Sequence, residues 1–134
     1  MFDSPEHLLD KIRLGEDSSL ELKSLRFKGH SVSDPTRSDL ADEIAAIANT
    51  CEAVVVLGVN DKTRDIEGIP TDLLEAAEKY VFEVCSDSIK PPVVFRTFRM
   101  QLPDTTGTFR SIIKIEIPRS LFVQIGRASC RERV

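Results

Sequence analysis

The run Ala53-Val54-Val55-Val56-Leu57-Gly58-Val59 constrains this chain more than any other stretch. Its seven consecutive apolar positions, mostly β-branched, lack the alternation of a half-exposed strand and the length of a buried helix. They suit a strand at the centre of a sheet covered on both faces. The rest of the chain has to supply that cover, and 134 residues are enough for one domain that does so. With 41% hydrophobic and 30% charged residues, and no repeat or low-complexity tract, disorder is not the expected state. The run is far short of the roughly 20 apolar residues that a membrane span needs, so no membrane segment is expected.

Around this strand the pattern changes period. Ser4-Pro5-Glu6 predicts a helix with a serine cap, a proline where its missing N–H is harmless and an acid in the first turn, running to about Leu14 and stopping at Gly15. Ser19 to Lys23 alternates, putting Leu20 and Leu22 on one face and Glu21 and Lys23 on the other. Arg26 to Arg37 reads as a mobile loop with a basic start. A second helix is expected from Ser38 to about Asn49-Thr50, with Leu40, Ile44, Ile47 and Ala48 inward. Asn60-Asp61-Lys62 is the turn that leaves the central strand, and Asp65 to Pro70 is a short strand and bend. Thr71 is placed to cap a third helix reaching about Cys85, with Leu74, Ala77, Tyr80 and Val81 buried. Val93–Leu102 and Phe109–Ile117, joined by Pro103 to Thr108, form an antiparallel hairpin. The sum is an α+β (mixed α/β) fold: one mixed β-sheet, about three helices and a C-terminal β-hairpin, with strand order open.

Net charge is −4, which argues against attracting a polyanion by bulk charge, so a nucleic-acid site has to be a local patch. Lys23, Arg26 and Lys28 with Phe27 among them are such a patch, cations for phosphates and a ring for a base. The same residues read equally as a solvated basic loop whose phenylalanine folds back onto the core. Arg96 and Arg99 with Phe95 and Phe98 repeat the pattern, but Val94, Phe98, Met100 and Leu102 explain that strand as core. Cys51, Cys85 and Cys130 have neither disulfide nor zinc spacing and are expected to be reduced, buried thiols. His7 and His30 have no partner at metal or triad spacing, and no GxxxxGK[ST] or GxGxxG occurs. Without a secretory signal at the N-terminus, a cytoplasmic location is expected. Ile125 to Val134 has no strand or helix pattern and resembles the translation of a short-read sequencing adapter. The native domain is therefore expected to occupy 1–124, truncated at its C-terminus, with 125–134 a non-native tail; without that tail's three arginines and one glutamate the net charge falls from −4 to −6.

Gly15 to Lys23, then Ala45-Ala46-Ile47-Ala48-Asn49-Thr50, then Leu57-Gly58-Val59-Asn60-Asp61 and Ile66-Glu67-Gly68-Ile69-Pro70, occur in an order that resembles the Schlafen AlbA-like domain over about Glu16 to Phe122. That domain's pattern has a glutamate ahead of a Glu-Phe-Lys strand, a helix ending Ala-Asn-Thr, and Gly-Val-Asp-Asp. Two positions depart from it: Glu52-Ala53 stand where Gly-Gly is common, and Asn60 replaces the first Asp. The resemblance implies a nucleic-acid-binding module, for DNA or RNA, of a bacterial transcriptional-regulator-like protein with further domains C-terminal, and a homodimer is compatible with it. Animal members include ribonucleases with a carboxylate triad; the matching positions are Glu16, Glu21 and Asp61, which would hold Mg²⁺ or Mn²⁺ and orient a water, with Lys23 stabilising the phosphate. Read without the resemblance, Glu21 and Lys23 are a solvent-facing pair, and Glu16 and Asp61 are turn residues. ATP binding, or protein interaction alone, is the third alternative; ATP follows from the label that bacterial relatives carry, and no motif here adds to it.

Overall fold

The computed structural model describes residues 2–15, 19–49 and 52–118. Glu16, Cys51, Cys130 and the 125–134 tail lie outside the described residues. The chain forms α1 (Pro5–Leu14), β1 (Leu20–Lys23), β2 (Arg26–Lys28), β3 (Ser31–Asp34), α2 (Arg37–Ala48), β4 (Ala53–Leu57), a 3₁₀ turn (Thr71–Leu73), α3 (Leu74–Asp87), β5 (Arg96–Pro103) and β6 (Phe109–Ile117). The main sheet runs β1-β4-β6-β5, with β1 parallel to β4 and the other pairs antiparallel. This is the mixed sheet, three helices and C-terminal hairpin that the periodicities predict.

All five residues of β4 are buried because both faces are covered. The register aligns Leu20 with Val54 and Leu22 with Val56, and these four pack with Ile112 and Leu102 under Leu8 and Ile12 of α1. Val55, Leu57, Ile113 and Ile115 face the other way, onto Leu40 and Ile44 of α2 and Val81 and Val84 of α3. Two cores thus flank one sheet. One has two helices over it, the other a single helix of ten residues. No helix among the described residues is long and apolar enough to cross a membrane.

The helix ends follow local chemistry. The Ser4 hydroxyl accepts the His7 N–H at 3.1 Å, and Gly15 closes α1 at φ 95°. Thr36 caps α2 by accepting the Asp39 N–H at 3.2 Å, so this helix starts at Arg37, one residue earlier than its sequence suggests. Thr71 does not cap α3. The Leu73 N–H bonds instead to the Pro70 carbonyl at 2.8 Å, a 3₁₀ closure that uses one of the orphan donors a cap would serve, and α3 runs on to Asp87.

Three other expectations give way. Residues 26–34 are not a loop but a small antiparallel hairpin, turning at Gly29 with φ 65°. Its strands are too short to show period two convincingly, yet Phe27 and Val32 face each other and pack on the α2/α3 side. In β5 only Leu102 is buried; Val94, just before the strand, is 73% exposed and Phe98 40%. As the sheet's edge strand, β5 leaves Phe98 partly open to solvent, with its ring 4.9 Å from the buried Lys114 ammonium. The strand expected at 65–70 shrinks to a single bridge, Val59 to Ile66, while the Gly58 carbonyl accepts from Glu67 and Gly68.

Candidate functional site

Alternation in β1 sends Leu20 and Leu22 to the α1 side, so Glu21 and Lys23 face α2, half-buried at the sheet edge. Parallel pairing makes β1 and β4 end together. The Lys23 carbonyl accepts the Gly58 and Val59 N–H groups at 2.8 and 3.3 Å, which ties the exit of β4 to the end of β1. The next residue, Asn60, folds the turn itself: its Oδ1 accepts from the Lys62 and Thr63 N–H groups at 2.8 and 2.9 Å, and its Nδ2 donates to Glu67 at 3.2 Å. An asparagine performs this turn chemistry without adding a charge. Asp61 is thereby delivered to the mouth of a cleft of about 360 Å³ between β1, β3 and α2.

Asp39, Asp42 and Glu43 share one face of α2 at i, i+3 and i+4 and line that cleft with Asp34, Asp61 and Lys23. Lys23 Nζ meets Glu43 Oε1 at 2.6 Å. Burial pulls the Lys23 ammonium toward neutrality, but the hydrogen bond and charge of Glu43, helped by the charges of Glu21 and Asp61, outweigh it and hold its pKa above the usual lysine value. Five carboxylates against one ammonium give a cleft that suits cations and repels phosphates unless a cation intervenes. Two of the three predicted triad positions, Glu21 and Asp61, therefore act on the same lysine, while Glu16 lies outside the described residues. Among the described residues no group of three or more His, Cys, Asp or Glu side chains gathers as a metal site. Asp34, Asp39, Asp42 and Glu43 are absent from the sequence-derived candidates. The helical spacing of 39, 42 and 43 is the signal in the sequence that marks three of them.

The four predicted nucleic-acid contacts divide. Lys23 belongs to the acidic cleft, and Phe27 packs against the α2/α3 core. Arg26 and Lys28 stay outward on β2, Arg26 reaching Glu67 at 3.6 Å with 60% of its side chain exposed. On the later hairpin, Arg99 donates to Glu78 through Nε at 3.0 Å and Nη2 at 2.6 Å, which holds the Glu78 carboxyl below its ordinary range despite some burial. Cys85 is a buried thiol whose pKa burial pushes up to about 12. It is no nucleophile.

A family profile described as "Schlafen, AlbA_2" matches residues 16–130, which take in every described element except α1. Among solved structures, the DIP2311 protein from Corynebacterium diphtheriae is similar, with a TM-score of 0.51 and 16% identity over 88% of this chain. At that identity the likeness concerns the fold. The match spans 22% of the DIP2311 chain. No curated protein matches.

Proposed function

Because this chain belongs to the Schlafen AlbA_2 family, we propose that it is a nucleic-acid-binding module, and that the β2–β3 hairpin carries the contact. Family membership itself reaches only to a nucleic-acid-related role. The observation that supports the finer reading is the outward pair Arg26 and Lys28, held at i and i+2 on one face of β2 by the inward packing of Phe27. In a chain of net charge −4 with an acidic cleft beside the sheet, a phosphate backbone is repelled from the cleft and met by the hairpin. A role as one module of a larger regulator fits the small share of the DIP2311 chain that is matched.

The test is titration into labelled single-stranded RNA and duplex DNA at two salt concentrations. Reversing both charges, Arg26→Glu with Lys28→Glu, is expected to weaken binding and to lower the salt slope by about two. Unchanged affinity in that double variant would remove the hairpin from the interface.

A second reading is a metal-dependent endoribonuclease at Glu21 and Asp61 with Glu16, which the action of both Glu21 and Asp61 on Lys23, a residue of the acid-lined cleft, favours. Mg²⁺ or Mn²⁺ would there orient a water and neutralise charge on the scissile phosphate. Cleavage that stops in EDTA and in Glu21→Ala supports it; cleavage surviving either sinks it.

A further inference from the structure

Where the β2–β3 hairpin leans on α3 there is a groove of about 440 Å³. His30 comes from the hairpin turn and Arg37 from the first residue of α2. Ala76, Lys79, Tyr80 and Glu83 follow one another along one face of α3 at i, i+3, i+4 and i+7. Three other clefts on the described surface have acids that equal or outnumber their lysines and arginines. The Lys23 cleft has five acids, the groove beside Gly68 sets Glu67 against Arg110, and the cleft under α1 sets Asp65 and Asp104 against Arg13 and Arg64. In the groove against α3, Arg37 and Lys79 outnumber Glu83, and His30 adds a further donor.

The groove is also organised. The Arg37 guanidinium lies 5.4 Å from the centre of the Tyr80 ring and pairs with Glu83, while the Tyr80 hydroxyl donates to the Pro35 carbonyl at 2.7 Å. Tyr80 is thus fixed at its far end and Arg37 is held on its face. Glu83 engages one edge of the guanidinium, and half of the Arg37 side chain is still exposed, so N–H groups remain for an incoming anion. Among the described residues neither Lys79 nor His30 has an ion-pair partner. Ala76 puts no bulk into the groove. Ser31, which also lines it, is the cross-strand partner of Lys28.

We infer that this groove seats a backbone phosphate of the bound nucleic acid, contacted by Lys79, Arg37 and His30. The inference rests on the reading of the chain as a nucleic-acid-binding module and extends the strand's path from Lys28 over the hairpin turn to α3. Lys79 is exposed and takes part in no core packing, so its replacement tests the contact without testing the fold.

The experiment compares the full chain, Lys79→Glu, and Arg26→Glu/Lys28→Glu in binding to labelled single-stranded RNA and duplex DNA at two salt concentrations, with melting curves as the folding control. Lys79→Glu is expected to bind about tenfold more weakly and to lose about one unit of salt slope, with an unchanged melting curve. Lys79→Gln should fall between. If the full chain binds and Lys79→Glu matches it, the groove is not a contact and the hairpin reading survives. If Lys79→Glu weakens binding and the hairpin variant does not, the groove stands and the hairpin reading falls. No binding by the full chain overturns both. A mononucleotide held as tightly as the strand, with the same dependence on Lys79, would overturn the assignment to a strand's backbone.

Discussion

Lys23 illustrates how one side chain can be read correctly for its face and wrongly for its neighbours. Alternation placed it opposite Leu22 and beside Glu21, and this is where it lies; its partner Glu43 comes from a helix twenty residues away in sequence, which no local pattern reveals. Replacing Lys23 by Met leaves Glu43, Glu21 and Asp61 without their shared cation and is expected to lower stability by about 1 kcal/mol in urea unfolding at pH 7. The pH dependence has a defined sign. A lysine whose pKa is raised by folding stabilises fully below its unfolded value of about 10.4, and that contribution disappears as pH climbs through the folded value. The stability gap between the native chain and Lys23→Met should therefore be constant from pH 6 to 9 and close above about pH 10.5; a gap that stays open well above that pH would reassign the interaction. Phe27 shows the opposite case, since its two readings, base platform or core residue, were equally open until the position of α2 and α3 was known.

Elements were legible where length or composition marked them. The ten residues of α1 and the nine of β6 carry enough turns or alternations to declare themselves, and the caps at Ser4 and Gly15 mark the helix ends. Three residues of β2 and four of β3 do not, and their stability comes from Phe27 and Val32 reaching the core. Turn positions can be tested by paired substitutions. Gly68 has φ 78°, and a β-carbon there would lie 2.8 Å from the Arg110 Cβ, whereas Gly29, at φ 65°, has nothing within 4 Å of that point. Gly68→Ala should cost roughly 2–3 kcal/mol and Gly29→Ala about 1 kcal/mol in thermal unfolding, the difference being the collision rather than the backbone conformation. Equal losses would mean that Arg110 moves aside freely.

At the scale of the whole molecule the sheet is unevenly guarded. The burial of β4 on both sides was readable from its composition, but which helix covers which side was not, because that depends on register and on the β1–β4 pairing. Leu8 and Ile12 alone bring α1 buried side chains to its face of the sheet. Leu8→Ala is expected to cost about 3 kcal/mol, read as a shift in the denaturant midpoint with little change in slope; a loss below about 0.5 kcal/mol would mean that α1 is not the seal. The family match starts at residue 16, two positions after α1 ends. A protein trimmed for expression to the boundaries of its family would thus keep every strand of the sheet and lose its lid. Leu20, Leu22, Val54, Val56 and Ile112 would then form an oily plate on the outside, and such molecules would pair plate to plate or precipitate.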